Sequence, residues 1–416
     1  MKISVIGLGY VGLPTAVILA NAGHKVIGID INPEVVNTIN AGDIHIVEPG
    51  LKAKVHKLSK SNKLSASLVC EPSDVFIISV PTPLTKTQKP ELKFIKQSVT
   101  SFAQLLKKGN LVILESTSPV GTSEKIAMWI KKIRPDLIMP SSNSSFPSDI
   151  NIAHCPERVL PGNVLHELVY NDRIIGGISK ICSKKTLKLY QSFVKGNCYI
   201  TNSRVAEFCK LAENAYRDVN IAFANEISMI ADKLEVDPWK VIELANKHPR
   251  VNILKPGPGV GGHCIALDPM FIAHSAPAQS LLIQQARTVN NKKPIFVIDK
   301  IKQAIKASNK PSKDLSISIF GLSYKPDIDD LRESPALEIA QYLNKLTFNK
   351  IMIFEPNISA LPDGMSNKAT LEKDIKKGMK ADISVLLVAH TEFKCIKKTH
   401  YKRSTIIDAC GLLVED

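Results

Sequence analysis

No Cys-x-x-Cys pair occurs in this 416-residue chain, and its 8 cysteines are scattered without metal-ligand spacing to histidine. That excludes a disulfide scaffold and a structural zinc site, so no metal is expected, and it suits a reducing compartment with free thiols. No apolar run approaches the ~20 residues that cross a bilayer, so no membrane partner is expected. No secretory leader is expected. The start, MKISVIGLGYVGLP, has one lysine and an apolar stretch broken by glycines, which reads as a strand and a turn. A cytoplasmic location is the expectation. Acids are in deficit, 39 against 54 bases, for a net charge of +15. Yet lysines such as Lys184, Lys185, Lys306, Lys310, Lys376, Lys377, Lys397 and Lys398 are dispersed, with no aromatics interleaved. Nucleic acid is therefore not expected. A small anionic ligand on a lysine-rich protein fits better.

What is present is enough for two or three domains. Its densest chemistry lies in Lys255 to Asp268, KPGPGVGGHCIALD, with Gly257, Gly259, Gly261 and Gly262 followed by His263, Cys264 and Asp268. Glycines so dense cannot hold a helix or strand interior, because each loses much backbone freedom on ordering. They make a loop whose N–H groups can approach a ligand. Cys264, just after it, is either a nucleophile or a small buried residue. This stretch alone does not decide.

The first 30 residues form a second constellation. The run ISVIGL leads into GLGYVG, with Gly7, Gly9 and Gly12 in GxGxxG spacing around Tyr10 and Val11. PTAVILANAG then reads as a helix and KVIGID as a strand ending at Asp30. Strand, glycine turn, helix, strand and acid make a dinucleotide fingerprint. Gly7 permits the turn, Gly9 lets a pyrophosphate near the backbone, and Gly12 lets helix and strand close up. Asp30, about 20 residues on, suits ribose hydroxyls and would repel a 2′-phosphate, so the expected cofactor is NAD.

Further strands are expected at VFIISV (75–80), ending in Pro81-Thr82-Pro83, and LVILE (111–115), ending in STSPVGT. Open parallel sheets place their ligand crevice at such strand ends, so Thr82 and Thr117 are candidate cofactor contacts. Residues 140–150 read as a polar surface loop. INIAHCPERVLPG gives a strand leading to Glu157 and Arg158, and RIIGG (173–177) and CYIT (198–201) complete the sheet.

From Val205 about 30 residues lack Gly and Pro, which predicts one helix roughly 45 Å long. Lys210, Asn214 and Arg217 share its face at i, i+4 and i+7. Its length also suits pairing with a second copy, so a homodimer is expected. PWKVIELANK is a shorter helix leading to His248 and Arg250, and residues 280–307 are helical again. Near Lys310-Pro311-Ser312 a second nucleotide-type sheet begins, with strands at 317–321, 351–355, 383–389 and 405–409. A helix starts at Ser334, as cap, and Pro335. The expected class is α/β, with two Rossmann-like nucleotide-binding domains joined by a helical domain with one long central helix. The expected boundaries are 1–203, 204–308 and 309–416.

In this order the motifs resemble the UDP-glucose/GDP-mannose dehydrogenase family over nearly the whole chain. The resemblance is carried by IGLGYVGLPTA, VPTP, ILESTSPVGT, NIAHCPERVLPG, NDRIIGG, KLAENAYRDVNIAFANE, ANKHPRVNILKPGPGVGGHCIALDPMF and FGLSYKPDIDDLRESPA. It implies four-electron oxidation of a nucleotide-sugar at C6 with two NAD, Cys264 being the nucleophile. It gives Lys210 and Asn214 oxyanion stabilisation, Lys210 also proton transfer, Asp268 an ordered water, and Glu157 the hydrolytic water. It places a UDP-sugar against Arg158, Val159, Lys210, Asn214, Arg217, His248, Arg250, Gly261, Tyr324 and Lys325, and Arg332 against NAD. Arg250 is implied to act across a dimer interface. The wording CPERVLPG and GGHCIALDP points to the branch of the family that acts on N-acetylated sugars.

Overall fold

The computed structural model describes every residue except 86, 143–146, 161, 263, 366–368, 402–403 and 414–416. His263 and the middle of the expected 140–150 loop therefore lie outside the described residues. The chain divides into two compact units, Met1–Glu213 and Asn214–Asp416.

In the first unit strands and helices alternate: β1 (Lys2–Ile6), α1 (Gly12–Asn21), β2 (Lys25–Ile29), α2 (Pro33–Asn40), α3 (Leu51–Lys60), β3 (Leu64–Ser67), β4 (Val75–Ile78), α4 (Lys93–Phe102), β5 (Leu111–Leu114), α5 (Thr122–Ile133), β6 (Asn151–His154), α6 (Val164–Tyr170), β7 (Arg173–Gly177), α7 (Lys180–Tyr190), β8 (Cys198–Asn202) and the start of α8 (Ser203–Lys233). The strands form one sheet in the order β3-β2-β1-β4-β5-β6-β7-β8. All neighbours are parallel except β6 and β7. β4 and β5 are apolar and buried at every position, as strands covered by helices on both faces must be. Apolar cores lie on the two faces, one around Leu13, Val17 and Ile77, the other around Phe76, Phe102 and Ile126. The order reverses between β1 and β4. That switch point opens the crevice where such sheets take ligands.

The second unit holds the rest of α8, then α9 (Pro238–Ala245), α10 (Asp268–Ser275), α11 (Leu281–Ala307), β9 (Ser316–Phe320), α12 (Pro335–Lys345), β10 (Lys350–Phe354), β11 (Ala369–Leu371), α13 (Ile375–Gly378), β12 (Ile383–Leu386) and β13 (Thr405–Asp408). Its sheet is parallel, in the order β11-β10-β9-β12-β13. The expected α/β class with two Rossmann-like sheets and one long helix is what the chain adopts. α8 spans 31 residues. Ser334 caps α12 by accepting the Leu337 N–H at 3.3 Å, with Pro335 in the first turn. Among the described residues no helix is long and apolar enough to cross a membrane.

Candidate functional site

The glycines of the first turn meet their steric reasons. Gly7 has φ of 90°, a conformation L side chains avoid. A Cβ on Gly12 would strike the Gly7 carbonyl oxygen, so α1 closes on β1 only because both are bare. A Cβ on Gly9 would meet nothing within 4 Å, so that backbone is open to a phosphate. Asp30 accepts the N–H of Leu8 and of Asn32, each at 3.0 Å, which fixes its carboxylate at the end of β2. Tyr10 lies within the turn and Val11 is the residue before α1. At the ends of β4 and β5, Thr82 Oγ1 donates to Thr117 O at 2.6 Å. The two candidate threonines thus come together at the sheet's crevice. This cradle fits a dinucleotide. The start of α1 offers positive potential and bare N–H groups suited to a phosphate, and Asp30 at the end of β2 offers a carboxylate suited to ribose hydroxyls.

In the same unit α8 is sewn to the strand ends by side chains one turn apart. Glu207 accepts from the Gly121 N–H at 2.6 Å and from the Ser123 N–H at 2.8 Å and hydroxyl at 2.7 Å. Lys210 Nζ lies 3.3 Å from Glu157 Oε1, both buried. The other Glu157 oxygen accepts the Val159 N–H at 2.9 Å. Arg158 pairs with Glu213 at 2.9 Å and donates to Asp172 O at 3.3 Å. Lys210, Glu157, Arg158 and Val159, drawn from two stretches of chain, are therefore one cluster. A buried ammonium beside a carboxylate can exchange a proton and stabilise a developing oxyanion.

In the second unit the glycine–cysteine loop threads a narrow passage. A Cβ on Gly259 would lie 2.9 Å from Pro335, one on Gly261 would press on Tyr324 and the Glu333 carbonyl, and one on Gly262 would lie 2.8 Å from the Tyr324 ring. The Gly262 N–H donates to Arg332 O at 3.2 Å. The glycines are thus needed because the loop carrying Tyr324, Lys325 and Arg332 packs directly on them. Cys264, exposed, takes the N–H groups of Leu267 and Asp268 on its carbonyl at 3.2 and 2.9 Å. That sets the thiol one turn ahead of α10. Asp268 is buried and accepts from Asn214 Nδ2 at 2.5 Å, so the turn bearing Cys264 is tied to α8 at the Asn214 position. Cys264 is therefore not the small buried residue of the alternative reading.

Other sequence candidates have plainer surroundings. Arg217, His248 and Arg250 are exposed. The Arg250 N–H donates to His248 Nδ1 at 3.3 Å. Arg332 forms a bidentate pair with Asp330, its Nε 2.9 Å and its Nη2 2.6 Å from the two carboxylate oxygens.

Residues that sequence reasoning missed hold this arrangement. Asn225 on α8 accepts the Gly257 N–H at 2.9 Å, where the glycine loop begins. Its amide nitrogen donates to Asn290 at 2.9 Å, and Asn290 donates to Asp218 at 2.8 Å. Arg287 closes the chain on Asp218 at 2.7 Å. Because Asn290 spends its nitrogen on Asp218, Asn225 must turn its own nitrogen to Asn290 and its oxygen to the loop. Their i, i+7 spacing on α8, Asp218 and Asn225, is the one signal that could have flagged them.

Three consecutive segments match domain families. Residues 1–194 match the UDP-glucose/GDP-mannose dehydrogenase family NAD binding domain, 204–292 its central domain and 318–415 its UDP binding domain. The chain is 49% identical over 414 residues to the UDP-N-acetyl-D-mannosamine dehydrogenase of Escherichia coli (strain K12), covering 99% of this chain and 98% of that one. It is 50% identical over 410 residues to the NDP-N-acetyl-D-galactosaminuronic acid dehydrogenase of Ralstonia nicotianae (strain ATCC BAA-1114 / GMI1000), covering 99% and 96%. Its fold is similar to a solved UDP-D-ManNAc dehydrogenase from Pyrococcus horikoshii, with a TM-score of 0.88, 37% identity, and coverage of 100% and 97%.

Proposed function

The chain belongs to the UDP-glucose/GDP-mannose dehydrogenase family and is an NAD-dependent UDP-sugar dehydrogenase, and on that premise we propose that it oxidises UDP-N-acetyl-D-mannosamine at C6 to the uronic acid. The Asn214–Asp268 bond is the observation that carries this reading. It ties a thiol-bearing turn to a helix whose neighbouring face offers Lys210. The Gly7–Gly12 turn and Asp30 would hold NAD, which when bound would supply a hydride acceptor, a fresh NAD serving each of the two oxidation levels. Lys210, once its ammonium has passed a proton to Glu157, takes the C6 hydroxyl proton as the aldehyde forms. The Cys264 thiolate then adds to the aldehyde carbon and keeps it as a thiohemiacetal. Lys210 and Asn214 steady the oxyanion. The second oxidation leaves a thioester on Cys264. Water held by Asp268 and Glu157 cleaves it to carboxylate and free thiol. Covalent retention explains two oxidations without loss of a reactive aldehyde.

Arg158, Val159, Arg217, His248, Arg250, Gly261, Tyr324 and Lys325 are proposed contacts of the UDP-sugar, and Thr82, Thr117 and Arg332 of NAD. The three-part division 1–203, 204–308 and 309–416 is supported by the order of the matched domains. We also propose a homodimer through the central helices, with Arg250 reaching the partner's site, a cytoplasmic location, and a product used for surface polysaccharide. UDP-N-acetylgalactosamine is the second reading, favoured by the Ralstonia relative at 50% identity. A panel of UDP-hexoses followed by NADH absorbance separates these. The expected result is the fastest turnover with UDP-N-acetyl-D-mannosamine, two NADH per sugar, and no acid from Cys264→Ser. One NADH per sugar, or full turnover by Cys264→Ser, would end the thioester reading.

A further inference from the structure

The two sheets repeat one turn at one place. β1 and β9 each end in a glycine of left-handed conformation, Gly7 at φ 90° and Gly321 at φ 91°. Each glycine N–H donates to the last residue of the adjacent strand, Ile29 and Phe354, both at 2.8 Å. Next comes a leucine, whose N–H donates to the acid ending that strand. Leu8 reaches Asp30 at 3.0 Å and Leu322 reaches Glu355 at 2.7 Å. The other carboxylate oxygen takes the N–H two residues on, Asn32 at 3.0 Å and Asn357 at 3.2 Å. Glu355 thus stands in the second sheet where Asp30, the ribose acid, stands in the first.

What surrounds the two acids differs. The open Gly9 is replaced by Ser323, whose hydroxyl donates to Lys325 O at 2.8 Å. Glu355 also takes the Nε2–H of His390 at 3.0 Å, with both side chains fully buried. His390 Nδ1 accepts the Asp327 N–H at 3.0 Å. With a donor facing Nδ1, the ring is the neutral Nε2–H tautomer, assigned from these partners. Asp327, at φ 62°, is held again through its carboxylate by the Thr391 N–H and hydroxyl at 2.8 and 2.7 Å. Residues 322–327, which carry Tyr324 and Lys325, are therefore pinned at one end by Glu355 and at the other by His390 and Thr391.

We infer that His390 is a positioning residue for the nucleotide-sugar: it occupies the acid that the first sheet keeps for ribose and uses it to fix the Tyr324–Lys325 loop. Filled in this way, the second sheet takes no dinucleotide. It offers instead a rigid loop to a uridine diphosphate. The inference rests on the proposed role of Tyr324 and Lys325.

The test is equilibrium titration of the full chain with UDP and, separately, with NAD, alongside kinetics. His390→Ala is expected to weaken UDP binding and raise KM for the UDP-sugar by about tenfold, the usual effect of unpairing a buried polar group. NAD affinity should stay within about twofold. His390→Gln keeps a donor for Glu355 but gives up the acceptor for Asp327, so it should fall between wild type and alanine. UDP affinity unchanged in either variant overturns the inference, as does an equal fall in UDP and NAD affinity. Should the alanine variant fail to fold, the glutamine variant decides alone. A wild-type chain that binds NAD but no UDP defeats the proposed function itself, and is told apart by that result.

Discussion

Glu115 closes β5 and is 1% exposed, with Thr15 Oγ1 donating to its oxygens at 3.1 and 3.2 Å. Burial raises its pKa to about 7; the Arg173 charge and the Thr15 bond oppose this, and Glu157 adds to it. The folded state therefore holds a proton that the unfolded chain has released. Stability from this group is full below the ordinary carboxylate range and is lost as pH rises through about 7. Glu115→Gln should abolish that decline and be more stable than wild type at pH 8, by roughly 1–3 kcal/mol. Urea denaturation at pH 5 and pH 8 checks this; equal pH slopes in both proteins would refute it. His154 acts on the other flank, since burial lowers its pKa to about 3. Single residues such as these were illegible in the sequence because their partners are remote. Thr15 is 100 positions from Glu115, and Glu355 is 35 from His390. Gly7, Gly9, Gly12 and Asp30 were legible because one turn and one strand end set their spacing.

Elements were easier to read where length or punctuation spoke. α8 was announced by a stretch free of Gly and Pro, and α12 by its Ser-Pro start. The edge strands β3 (LSAS) and β11 (ATL) were not, being short and barely apolar. The antiparallel pairing of β6 with β7 has no local signature either. α11 runs through Pro294 without ending, because its neighbours hold it. Its Arg287 and Asn290 lock α8 to the glycine loop through Asp218 and Asn225. Asn225→Ala leaves the Gly257 N–H and the Asn290 oxygen without partners, a cost of about 1–3 kcal/mol. The loop would then hold Cys264 less firmly, which leaves the first oxidation untouched and weakens the proposed capture of the aldehyde. Acid formation should fall about tenfold, with aldehyde released and the NADH-to-sugar ratio moving from two toward one. Trapping with a hydrazine reagent measures it, and an unchanged ratio would show that Asn225 does not govern the thiol.

For the whole molecule, composition and motif order foretold two nucleotide-type sheets around a helical middle, but not which surfaces stay bare. Tyr216, Phe223 and Ile230 repeat every seven residues along α8, Leu234 follows just past its end, and all are exposed, Tyr216 at 73%. A stripe of this kind on a long helix is what a second copy would cover. Phe223→Asp with Ile230→Asp should shift the protein from dimer to monomer in sedimentation at micromolar concentration. A wild-type monomer there would remove the dimer proposal.

The bare backbone of Gly259, Gly261 and Gly262 pressed against Pro335 and the Tyr324 ring has a pharmacological meaning. The glycines that precede Cys264 rest directly on the aromatic ring. A wedge-shaped compound that levered Tyr324 away would leave that glycine stretch, and with it the proposed nucleophile, without its support. Such an inhibitor would need neither an adenine mimic nor a thiol-reactive warhead.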